Sequence, residues 1–125
     1  MPIENEMNSM LVDFRAFVDH LFQEKNSGPD GFLHAAVGLA GESAEVLDHM
    51  KKHWVYGREI NRDEVIEEMG DTFHYFMMLM IMMKVGLEDV IEANVVKLRK
   101  RYPNGFTQHD AIAQDGISRS RKNTA

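Results

Sequence analysis

Apolar residues recur at spacings of three and four in four stretches of the chain, separated by turn-forming residues. Nowhere do they alternate with polar residues over the length of a strand. The pattern predicts an all-α protein of four helices. The first is expected over 7–24, with Leu11, Phe14, Val18, Leu21 and Phe22 near one face. Gly28, Pro29 and Gly31 break it. The second is expected over 32–54, with Leu33, Ala36, Ala40, Ala44 and Leu47 as its core stripe.

Asn61 followed by Glu64 resembles a capping box, so the third helix should open there and run to residue 85. Gly86 is the expected left-handed terminator. Beyond Asp71 this helix is apolar nearly all round, which marks it as the central one. Met69 and the methionines of residues 77–83 read as adaptable core filling. The fourth helix is expected over 87–102, ending at Pro103, Asn104 and Gly105. Residues 1–106 then form one all-α domain, and the polar stretch 107–125 is expected to be a mobile tail.

Composition narrows the chemistry. At 125 residues the chain forms one domain with a single core. It has no cysteine, which excludes disulfides, thiolate metal sites and cysteine nucleophiles. A net charge of −6 argues against a surface that coats nucleic acid. The longest apolar run, 73–83, is far short of the ~20 residues that a membrane span needs. The N-terminus has neither the basic nor the apolar region of a signal peptide. A cytoplasmic location is therefore expected. So much apolar surface on a small chain also predicts burial against a second copy, in a homodimer or larger assembly.

The charged residues are not evenly spread. Glu42 and Glu45 lie three apart on the second helix, sharing a side with His34, Gly38, Gly41, His49 and Lys52. Two helix-interior glycines each cost about 1 kcal/mol relative to alanine, which close approach of another group to that face would offset. On the third helix Glu64, Glu68, Asp71, Tyr75, Met78 and Met82 form one stripe, acidic in its first half and apolar in its second. Each carboxylate pair alone is an ordinary solvated surface feature. Facing each other, the pairs would repel unless a cation neutralised them. Hard oxygen ligands in that number suit Mg²⁺ or Mn²⁺ better than zinc.

Basic groups complement them. Lys51, Lys52 and Arg58 cluster around the end of the second helix, and Asn94, Lys97 and Arg101 share a face of the fourth. Both sets are candidates to clasp phosphate oxygens. Candidates to stack on a base are Phe14, Phe17, Phe22, His34, Tyr56 and Trp54, the only tryptophan.

With these residues in place, a resemblance emerges. Glu42-Ser43-Ala44-Glu45, then Glu68-Met69-Gly70-Asp71, then the element from Asn94 to Pro103 is similar to the MazG-like all-α nucleoside triphosphate pyrophosphohydrolases. That group includes dCTP pyrophosphatases and dimeric dUTPases. The resemblance covers 34–106 and includes the glycine before Glu42 and the tyrosine four residues after Asp71. It implies a four-helix bundle assembled as a dimer or dimer of dimers, with sites near subunit interfaces. It further implies that Glu42, Glu45, Glu68 and Asp71 hold Mg²⁺, for which Mn²⁺ substitutes. A (deoxy)nucleoside triphosphate would be split between its α and β phosphates, with Asn94, Lys97 and Arg101 on the phosphate chain and Tyr75 on sugar or phosphate. Lys52, His34 and Trp54 complete the expected substrate contacts, and Glu45 is the expected general base. Many members carry a further glutamate before the first motif, where this chain has Gly38-Leu39-Ala40.

Two other readings fit parts of the pattern. A di-iron carboxylate bundle needs inward Glu-x-x-His pairs, and the chain offers only Asp71-x-x-His74. A non-enzymatic helical dimerisation or regulatory module predicts that the four acids are exposed and dispensable.

Overall fold

A computed structural model describes residues 2–24 and 28–113. Its elements are four helices, α1 (Pro2–Phe22), α2 (Pro29–Tyr56), α3 (Arg62–Met83) and α4 (Leu87–Arg101), and no strand occurs among the described residues. The chain divides into two compact units, 1–85 and 86–125.

In the first unit α3 packs against both α2 and α1, as expected of a helix apolar nearly all round. Val18, Ala35, Met77, Met78 and Met80 are buried. Phe14 of α1 stacks on Phe73 of α3 with ring centroids 5.5 Å apart. Arg15 donates from Nη1 to the carbonyl of Val85 at 2.8 Å, tying α1 to the end of α3. The methionine cluster divides: three of its members fill the core, whereas Met69 and Met83 are exposed.

The helix ends follow from local chemistry. α2 opens at Pro29, three residues before the expected start, because the first helical position has no use for the N–H that proline lacks. The helix closes at Gly57 in the left-handed region (φ 67°), with backbone bonds to the carbonyls of His53 and Lys52. The side-chain oxygen of Asn61 accepts from the amides of Asp63 (3.2 Å) and Glu64 (3.3 Å), so Asn61 caps α3 as its position predicts. Gly86, however, is not the terminator of α3. Lys84 takes the left-handed conformation instead (φ 56°), with Val85 N–H bonded to Met80 O. The helix thus closes two residues early, and Gly86, in extended backbone, becomes the N-cap of α4.

The face that α2 buries differs from the expectation. Leu33 and Leu47 are 64% and 68% exposed, and Ala36, Ala40 and Ala44 are exposed with them. The buried residues of α2 are Gly31 and Ala35, and the partly buried Gly38, Glu42, Val46 and His49 continue along the helix. Small residues let the helices approach closely. A Cβ built at Gly38 would overlap the ring of Tyr75, whereas one at Gly41 would meet nothing. Gly38→Ala should therefore destabilise the fold by about 1–2 kcal/mol, overpacking outweighing the gain in helix propensity. Gly41→Ala should stabilise it by up to about 1 kcal/mol. Urea denaturation of both variants checks the pair, and equal shifts would contradict it.

The second unit contains α4. Its N-cap Gly86 donates its N–H to Asp89 Oδ2 at 2.8 Å. Glu88 and Asp89 in the first turn, with Arg99, Lys100 and Arg101 in the last, complement the helix dipole. Tyr102 ends it, and its ring meets that of Phe106 at 5.4 Å. Within the expected tail, residues 108–113 are helical, with the Thr107 hydroxyl accepting from the amide of Asp110 at 3.0 Å. Residues 114–125 lie outside the described residues.

Candidate metal centre

The packing of α2 on α3 sets Glu42 opposite Glu68 and Asp71. One carboxylate oxygen from each of the three lies within 4.8 Å of the others. Glu42 and Glu68 are partly buried and Asp71 is exposed. Burial pushes the Glu42 carboxyl above its ordinary value, and the neighbouring charges of Asp71, Glu68 and Glu45 push it further. Three hard oxygen donors, one of them disfavoured as a bare anion, form a set that a divalent cation fits.

Glu45 stands apart from that trio. It is exposed and lies one turn along α2, close enough for its charge to act on Glu42. Two histidines do reach the motif carboxylates. His49 Nε2 is 3.7 Å from Glu68 Oε1, and its Nδ1 is 3.8 Å from Glu64 Oε2. His74 Nδ1 is 3.7 Å from Asp71 Oδ1. The spacing had placed His49 on the Glu42 side of α2, and His74 follows Asp71 by three residues. Both signals were present in the sequence, but neither identified these carboxylates as the contacts.

Beside the trio lies an aromatic cluster. Tyr75, seated against Gly38, meets the rings of His74 at 4.2 Å, His34 at 5.6 Å and Phe22 at 6.1 Å. His34 Nδ1 and His74 Nε2 are buried without a hydrogen-bond partner. A groove of about 430 Å³ between α1 and α3 is lined by Phe14, Phe17 and Leu21 and bordered by Asp71 and His74.

Lys52 Nζ is 2.7 Å from Asp48 Oδ2, and Lys51 Nζ is 2.9 Å from its other oxygen. Together the two lysines hold the Asp48 carboxyl down to about 2. Trp54 is 89% exposed. Asn94, Lys97 and Arg101 all lie on α4, in the second unit, and are exposed.

The sequence pattern of the MazG nucleotide pyrophosphohydrolase domain matches residues 32–106, which hold both carboxylate motifs and all of α4. The chain belongs to the MazG family. Membership and the all-α fold agree with what the motif residues implied. Among curated proteins, the MazG chain is similar to the Gene 37 protein of Mycobacterium phage L5. The two are 32% identical over 84 residues, covering 63% of this chain and 73% of the phage protein. No solved structure matches it. No helix among the described residues is long and apolar enough to cross a membrane.

Proposed function

We propose that this MazG protein hydrolyses a (deoxy)nucleoside triphosphate between the α and β phosphates, in a Mg²⁺-dependent reaction that releases the nucleoside monophosphate and pyrophosphate. The observation that carries this reading is the convergence of Glu42, Glu68 and Asp71 oxygens within a segment that matches the MazG domain. Mg²⁺ at that trio would offset charge developing on the polyphosphate and favour ionisation of water there. Glu45, which is exposed and outside the trio, is assigned the role of orienting the attacking water and accepting its proton. Asn94, Lys97 and Arg101 are assigned to the phosphate chain and Tyr75 to the sugar or phosphate. His34 and Trp54 are candidates for the base, and Lys52 for a phosphate once it leaves Asp48.

A dispensable acidic surface accords poorly with two partly buried acids facing each other. The di-iron alternative needs histidine ligands, but His74 lies outside the gathered oxygens and directs Nδ1 at Asp71. The deciding assay supplies each of the eight common ribo- and deoxynucleoside triphosphates with Mg²⁺ and resolves the products. Pyrophosphate with monophosphate is expected from at least one of them. Orthophosphate appearing first, or no hydrolysis of any, would overturn the assignment.

The outward stripe of Leu33, Ala36, Ala40, Ala44 and Leu47 supports self-association, since α1 and α3 leave it uncovered. A homodimer or homotetramer is the proposed working form. Sedimentation equilibrium showing a monomer at tens of micromolar protein would refute it.

A further inference from the structure

We infer that His49 and His74 are positioning residues, whose rings aim the Glu68 and Asp71 carboxylates at the cation. This inference rests on the metal-dependent reading above and adds to it a pair of residues outside the carboxylate motif. Each acid of the second motif has its own imidazole: His49 Nε2 is 3.7 Å from Glu68 Oε1, and His74 Nδ1 is 3.7 Å from Asp71 Oδ1. These separations are wider than a direct hydrogen bond but within ion-pairing reach, so a small turn of either carboxylate closes them.

The His74 ring is held from another side. The His74 ring stacks on Phe22 at 5.3 Å and lies 4.2 Å from Tyr75. Its Nε2 is buried with no partner. A proton on that nitrogen would be an unsatisfied donor in an apolar cluster, whereas one on Nδ1 faces an anion. The geometry therefore favours an N–H on Nδ1, toward Asp71. The His49 side chain is only 13% exposed and sits between Glu68, at 23%, and the well-solvated Glu64, at 58%. Nε2–H is assigned as the donor to Glu68, the less solvated of the two acids. A carboxylate that gives one oxygen to a cation is oriented by a donor on the other, and such outer partners commonly contribute ten- to a hundredfold in metal affinity.

The test exploits which ring nitrogen is used. The asparagine amide nitrogen occupies the place of Nδ1, one bond from Cγ, whereas that of glutamine reaches the place of Nε2. Mn²⁺ binding to the full-length chain is measured by electron paramagnetic resonance without nucleotide, for His49→Gln, His49→Asn, His74→Asn and His74→Gln. Circular dichroism verifies that each variant is folded. His49→Gln and His74→Asn should stay within about threefold of wild type, while His49→Asn and His74→Gln should bind at least about tenfold more weakly. Four variants binding alike, whether tightly or weakly, would overturn the inference, because packing alone would then explain the rings. If wild-type protein takes up no Mn²⁺, the metal reading itself fails and this inference falls with it. Tight wild-type binding without the crossover removes only the histidine roles.

Discussion

Asp71→Asn should lower Mg²⁺-dependent pyrophosphate release by roughly 10²- to 10³-fold, the range seen when one electrostatic stabiliser of a transition state is removed. Asparagine keeps the size and planarity of the side chain but takes a negative oxygen from the gathered trio. Because Asp71 is exposed, the substitution opens no cavity in the core, and the unfolding midpoint of the metal-free protein should not fall but rise modestly, since one charge that repels Glu42 is gone. Glu68→Gln should behave alike. Glu45→Gln should differ in kind, since Glu45 lies outside the trio. Its kcat should fall steeply while Mn²⁺ binding stays near wild type. Activity of Asp71→Asn within threefold of wild type at saturating Mg²⁺ would end the case for this trio.

Why the helices and the acids were legible while the inward face of α2 was not comes down to which forces leave a trace in one sequence. A 3.6-residue apolar rhythm, a capping asparagine and paired acids three apart are local signals. They locate four helices and place Glu68 and Asp71 together without knowledge of any contact. The orientation of α2 is not local. The rule that the more apolar face turns inward chose Leu33, Ala36, Ala40, Ala44 and Leu47. The protein instead buries the narrower face of Gly31, Ala35, Gly38 and Glu42, because Tyr75 needs close approach at Gly38. The rule weighs apolarity alone, and here the demand for close approach between helices outweighs it.

The misplaced terminator has a similar origin. Glycine is preferred in the left-handed region by roughly 1–2 kcal/mol, yet that preference is modest, and Lys84 adopts the conformation while Gly86 opens α4. Spacing put His49 on the Glu42 side of α2, but its place between Glu64 and Glu68 emerged only from α2 lying on α3. Asn94, Lys97 and Arg101 share a helical face by spacing alone. Their assignment to phosphate rests on family likeness.

Adding Mg²⁺ to the metal-free protein should raise its stability by about 2.7 kcal/mol at a hundred times the dissociation constant, since a cation that binds only the folded state stabilises it by mass action. For a chain of 125 residues this corresponds to an unfolding midpoint higher by about 10 °C. The gain has a local source. Folding brings Glu42 partly out of water and toward Asp71, Glu68 and Glu45, which is why its carboxyl is held above its ordinary value. A bare trio therefore opposes folding, and a cation reverses the sign of its contribution. Glu42→Gln should consequently raise the metal-free midpoint and also abolish most of the response to Mg²⁺. Those two shifts have opposite meanings, so together they separate a metal centre from an acidic patch. Sodium chloride at matched ionic strength is the control, because screening also relieves repulsion between exposed charges. Equal midpoints in the two salts, or a Glu42→Gln variant still stabilised as strongly as wild type, would show that these oxygens hold no cation in solution.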